Sequence, residues 1–134
     1  MLERTHIQSS GFDNLGPSDA RNGFRVRVRQ PNYRGMRVSL LEGIDVIVDR
    51  ERFPAEGNRI LINGREYSHA ELDDQIVLRW AVGMTVDVLV DKPGGLEPGV
   101  HLVETSIRLR HPYFPPLFRP VSMNDSRHVT IIVR

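Results

Sequence analysis

Strict alternation of apolar and charged residues from Gly23 to Arg29 constrains this chain more than any other feature. Phe24, Val26 and Val28 fall on one side, Arg25, Arg27 and Arg29 on the other. A period of two belongs to a β-strand with one buried and one wet face. The pattern recurs. Ile44, Val46 and Val48 oppose Asp45 and Asp49; Met84, Val86, Val88 and Val90 share a face; Val103, Thr105, Ile107 and Leu109 oppose Glu104, Arg108 and Arg110. Met36–Leu41, Gln75–Trp80 and Arg127–Val133 are further β-rich runs.

The connections carry turn chemistry. Asn63-Gly64, between Arg59–Ile62 and Arg65–Tyr67, suits a type I′ hairpin because both central residues must take positive φ. Gly43 marks a bulge or bend. Ser68 and Glu71 have capping-box spacing, so Ala70–Asp73 is expected to form one short helical turn. No helix crosses Pro93-Gly94-Gly95-Leu96-Glu97-Pro98-Gly99.

The expected architecture is all-β: one domain over 1–134, an antiparallel β-sandwich or flattened barrel of about seven to eight strands. Two segments fall outside the alternation. Residues 1–22 read as an irregular N-terminal arm, and residues 111–125 as a Pro/aromatic-rich extended segment. His111–Pro120 within the latter is too rigid for a strand and too apolar for a solvated loop, so it is expected to pack on something.

Composition narrows the function. Eighteen Lys and Arg stand against seventeen Asp and Glu, both signs scattered, which gives little support to nucleic-acid or membrane-surface binding. With no Cys, the chain has no disulfide, thiolate metal ligand or Cys nucleophile, in keeping with a reducing compartment. No apolar run matches a signal peptide or the ~20 residues of a membrane span, and a cytoplasmic location is expected.

A search for chemistry finds little. His6, His69, His101, His111 and His128 show no metal-binding spacing, and His101 and His111 would sit roughly 33 Å apart along one strand at ~3.3 Å per residue. No serine sits in a GxSxG elbow. Pro93-Gly94-Gly95-Leu96 lies between strands, with no helix N-terminus to receive a phosphate. The Arg25, Arg27 and Arg29 row keeps a sheet face wet or meets an acidic partner surface. Asp45, Asp49 and Glu51 lack the dense oxygen-ligand loop of a Ca²⁺ site and read as a solvated edge. Tyr33-Arg34-Gly35 is either an interface anchor pair or a turn whose Tyr caps the core.

Several motifs in order carry a resemblance. Gly23-Phe24-Arg25-Val26-Arg27-Val28-Arg29, Tyr33-Arg34-Gly35, Ser39-Leu40-Leu41-Glu42-Gly43, Val46-Ile47-Val48-Asp49, and Lys92-Pro93-Gly94-Gly95-Leu96 with Gly99-Val100-His101 resemble the small β subunit of the C-glycoside deglycosidases. The resemblance runs from Gly11-Phe12 to Tyr113. The family often has a second Tyr where this chain has Asn32 and Gly where it has Arg50.

The resemblance implies a bacterial enzyme that cleaves the carbon–carbon bond between a 3-oxo sugar and a phenolic or flavonoid aglycone by elimination. It further implies a TIM-barrel α subunit bearing the divalent metal, typically Mn²⁺, and the acid/base residues. No catalytic, cofactor-binding or metal-binding residue is then expected on this chain. Its candidates for a partner interface or pocket wall, with the C-glycoside substrate at or near that interface, are Tyr33, Arg34, His101, Tyr113, Phe114, Pro115 and Pro116. The alternatives are a freestanding carbohydrate-binding β-sandwich, which needs exposed aromatics for sugar stacking, and a self-assembling structural module.

Overall fold

The computed structural model describes residues 6–30, 36–75, 78–81, 83–109 and 121–132. Each long alternating run forms a strand that buries one face. In β2 (Gly23–Arg29), Phe24, Val26 and Val28 are at most 1% exposed while the three arginines stay half-buried. β4 (Leu41–Val48), β9 (Thr85–Asp91) and β10 (Gly99–Leu109) bury the expected valines, isoleucines and leucines, and β4 and β9 also bury Asp45, Asp87 and Leu89 of their other faces.

The described residues hold eleven strands, more than the seven or eight expected. β1 (Asp13–Leu15) and β5 (Glu51–Phe53), each too short to display a period, fall outside the expected runs, whereas β3 (Met36–Arg37), β7 (Arg65–Tyr67) and β8 (Arg79–Trp80) fall within them. β6 (Arg59–Ile62) and β11 (Val121–Ile131) complete the set.

All pairings are antiparallel. One sheet runs β1-β2-β9-β6-β7, the second runs β11-β10-β4-β5, and β3 with β8 makes a two-stranded ribbon. Neither large sheet closes on itself, so the molecule is a sandwich and not a barrel. The inner faces share one core, in which Phe24 of β2 meets Phe53 of β5 edge-on at 5.2 Å between ring centroids. Side chains buried this fully contribute roughly 1.5–3 kcal/mol each.

The turns follow their local chemistry. Asn63 and Gly64 take φ of 51° and 80° between β6 and β7, as a type I′ turn requires. The Ser68 amide donates to the Glu71 carboxylate at 2.9 Å and the Glu71 amide to the Ser68 hydroxyl at 3.3 Å, capping a 3₁₀ turn over Ala70–Asp74. Beside Gly43 the pairing of β4 with β10 slips, and a Cβ there would lie 2.6 Å from that of Ala55.

Four segments depart from expectation. Within Met36–Leu41, Val38–Leu40 is a 3₁₀ turn whose Val38 amide donates to the Leu78 carbonyl at 2.8 Å. Of Gln75–Trp80, Arg79–Trp80 is strand, while Gln75 and Leu78, the other described residues of that run, are not. Residues 121–125 belong to β11, which pairs with the whole of β10 from Leu109↔Val121 to Gly99↔Ile131. The N-terminal arm is not irregular throughout: β1 extends the first sheet, and Ile7 and Phe12 enter the core.

The arm also ties the sheets together. Ile7 bridges to Val28, the Arg29 amide donates to the His6 carbonyl at 2.8 Å, and the Gln8 amide donates to the Arg27 carbonyl at 2.9 Å. On the other side, the His6 and Ile7 amides donate to Asp125 Oδ2 at 2.9 and 3.0 Å, and Arg127 donates to the Ile7 carbonyl at 2.9 Å. Residues 6–8 thus form a strap from β2 to β11 along one edge of the sandwich.

Candidate functional site

Of the interface candidates, His101 is the one within the described residues; Tyr33, Arg34, Tyr113, Phe114, Pro115 and Pro116 lie outside them. His101 sits on the inward parity of β10 and is only 9% exposed. Its Nδ1 lies 2.5 Å from Asp49 Oδ2 and its Nε2 lies 2.6 Å from the Glu97 carbonyl. Each ring nitrogen thus faces a hydrogen-bond acceptor of this chain.

The Leu102 amide donates to Asp49 Oδ1 at 2.9 Å. The hydrogen bond from His101, reinforced by that amide, lowers the Asp49 pKa from its ordinary value. Together these contacts pin the β4–β5 turn and the Glu97 loop to β10. His101 therefore has a fastening role here and offers no free nitrogen to a ligand.

The arginine row is answered from within the chain. Arg25 pairs with Asp13 at 2.7 Å and approaches Asp87 to 3.6 Å; Arg27 holds Asp87 at 2.8 Å. Asp87 is 7% exposed, and the Arg27 pKa is raised mainly by their hydrogen bond. Arg25 and Arg27, neutralised in place, are poorly suited to gripping phosphates.

Of the three acids read as a solvated edge, Asp49 and Glu51 are exposed as expected, whereas Asp45 is not. Asp45 is 7% exposed, accepts the Ala55 amide at 2.7 Å and lies 3.5 Å from Arg108, which also reaches Glu56 at 3.2 Å. Glu56 has its pKa lowered first by a hydrogen bond from its own amide, then by Arg108. This cluster fastens the β5–β6 connection onto β10. Among the described residues no three His, Cys, Asp or Glu side chains converge to hold a metal ion.

One concavity is not absorbed by the fold. Where the strap ends, the same edge opens between β1 and the end of β11 into a groove of about 360 Å³, lined by Leu15, Arg21, Arg25, Ile131 and Ile132. Sequence reasoning missed it because its walls come from three separated stretches and no motif marks them. No helix among the described residues is long and apolar enough to cross a membrane.

Comparison with known proteins places this architecture. Residues 2–113 match the family model described as C-glycoside deglycosidase beta subunit. The chain is similar to the C-glycoside deglycosidase beta subunit of Eubacterium cellulosolvens, at 29% identity over 88% of this chain and 81% of that protein. It is likewise similar to the 3'-dehydrocarminate deglycosidase beta subunit of a Microbacterium species, at 32% identity over 85% of this chain and 84% of the other. A match of this extent makes this chain a member of the C-glycoside deglycosidase beta subunit family.

Proposed function

We propose that this chain is the accessory β subunit of a heteromeric, cytoplasmic, bacterial C-glycoside deglycosidase. The enzyme is a lyase that cleaves the carbon–carbon bond between a 3-oxo sugar and a phenolic or flavonoid aglycone. The family match across residues 2–113 carries the reading. The relative named for a 3'-dehydro compound supports a sugar oxidised at that position.

Elimination divides the chemistry between two partners. The ketone acidifies the neighbouring sugar C–H; a base takes that proton, its bonding pair becomes the new C=C, and the sugar–aryl bond pair passes to the aromatic carbon, which is then protonated. The acid and base, and the divalent ion, Mn²⁺ in this reading, belong to a TIM-barrel α subunit. Such an ion supplies polarisation of the ketone oxygen. The described residues of this chain do not converge on a site of that kind.

The β subunit contributes a rigid wall that orients substrate and excludes water. Tyr33, Arg34 and Tyr113 to Pro116 are its wall candidates on sequence grounds. The alternative of a freestanding sugar-binding module lacks support among the described residues, where Phe12, Phe24, Tyr67 and Trp80 are all buried.

The test is co-expression with the candidate barrel subunit, size-exclusion chromatography, and aglycone release from a 3-oxo C-glucoside with and without Mn²⁺. Co-elution with metal-dependent release is the expected result. Aglycone release by this chain alone, or no association with the barrel protein, overturns the reading.

A further inference from the structure

The groove beyond the strap has the makings of a protein-docking anchor. Val100 and Ile132, exposed to 66% and 67%, are the large apolar side chains most open to solvent among the described residues. Both stand at one end of the second sheet: Val100 pairs with Thr130, and Ile132 follows the last residue of β11. Ile132 and the buried Ile131 also line the groove, facing Leu15. Among the described residues, exposed apolar surface is therefore concentrated at this corner and continues into a concavity, a pattern typical of interaction sites.

Charge tells what kind of surface would fit. Arg25, Arg27, Arg59 and Arg108 each pair with carboxylates of this chain. Arg21, on the groove wall, hydrogen-bonds through its guanidinium to the Gly16 carbonyl, and no carboxylate among the described residues pairs with it. With Asp13 engaged by Arg25, the lining retains one positive charge in excess. Covering that cation with a neutral surface would strand it, whereas an opposing carboxylate would satisfy it through two N–H donors.

We propose that this groove is the anchor point of the heteromeric partner: an apolar side chain of that subunit seats against Ile131 and Ile132, an adjacent Asp or Glu pairs with Arg21, and the same interface covers the exposed Val100 at that end of the sheet. The assignment rests on the β-subunit reading and names the surface through which it acts. A stable interface covers roughly 800 Å² on each side, so the groove is its centre and not its whole extent. Arginine beside a packed apolar pocket is the composition that dominates binding energy at such centres.

The experiment measures association of the full chain with the co-expressed partner subunit by calorimetry and chromatography, for wild type, Arg21→Glu, Ile132→Asp and the charge-matched control Arg65→Glu on the distant β6–β7 hairpin. Arg21→Glu and Ile132→Asp are each expected to weaken association by about tenfold or more, with Arg65→Glu close to wild type. Thermal melts report folding; if either variant melts early, Arg21→Gln and Val100→Ser carry the test at less perturbed positions.

Wild-type binding that both groove variants retain within about twofold overturns the groove assignment and leaves the subunit reading intact. A wild-type chain that does not bind the partner overturns both. A homodimer of this chain, dissolved by Ile132→Asp and untouched by the partner, gives the groove to a second copy and overturns the assignment.

Discussion

His6 Nε2 lies 2.5 Å from Thr105 Oγ1, in a bond buried beneath the strap that joins the two sheets. Burial lowers the His6 pKa from its ordinary 6.5, while the nearby Asp125 carboxylate works in the opposite direction. The unfolded chain takes up this proton near 6.5, and the folded chain only at lower pH. His6 therefore favours folding fully above about 6.5 and progressively less as pH falls below it. Denaturant midpoints measured from about pH 7 to 5 should decline more steeply for wild type than for His6→Gln. Equal slopes would assign the dependence elsewhere. Thr105→Val, which leaves the ring nitrogen buried without its hydroxyl, should cost about 1–3 kcal/mol.

Arg50 occupies φ of 74° in the turn between β4 and β5, directly after Asp49 at 49°. Two consecutive positive φ values define a type I′ turn, whose second position favours Gly. A side chain there costs about 1–2 kcal/mol, partly offset by the greater unfolded-state freedom of Gly. Arg50→Gly should therefore raise stability by up to about 1 kcal/mol, read as a higher urea midpoint at unchanged m-value. A lower midpoint would mean that the Arg50 side chain makes a stabilising contact.

Asp49 is held by the His101 ring and the Leu102 amide, both of which favour its charged form. A depressed carboxylate contributes stability that is present above its unfolded pKa near 4 and lost as pH falls through the lower folded value. The stability difference between wild type and Asp49→Asn should be largest near neutrality and shrink on acidification below about pH 4. A difference independent of pH would show that geometry, and not charge, carries the turn.

Asp13 and Asp87 allow a comparison within one charged face. Asp87, 7% exposed between Arg25 and Arg27, has little water to replace its partners, whereas the Asp13 side chain is 29% exposed. Asp87→Ala is expected to cost about 2 kcal/mol and Asp13→Ala less than about 1 kcal/mol in chemical denaturation. Equal costs would show that burial does not set the worth of these pairs.

The parts of the fold legible in the sequence are those decided by near neighbours. The β2 alternation, the Asn63-Gly64 turn and the Ser68/Glu71 cap depend on residues within a few positions, and the structure contains all three. The strap was not legible, because His6–Gln8 has no periodicity of its own and is ordered by Val28, Asp125 and Arg127. The start of β11 was hidden for a related reason. Ser122, Asn124 and Ser126 alternate with Met123, Asp125 and Arg127, so the inward face carries an acid and a base where an apolar stripe was sought. Asp45 shows how a residue type misleads: its neighbours Ala55 and Arg108 turn an apparently wet carboxylate into a buried fastening.

The meeting of His6 with Asp125 has a consequence for the order in which the molecule is made. A contact spanning 119 positions cannot form on the ribosome until Asp125 has emerged. β10 must likewise wait for β11, its longest partner. Distant pairing of this kind slows folding and leaves unmatched strand edges open during synthesis. The β4–β5 pair thus stands with one edge of β4 open until β10 is made, and His6 finds its place only after Asp125 has followed.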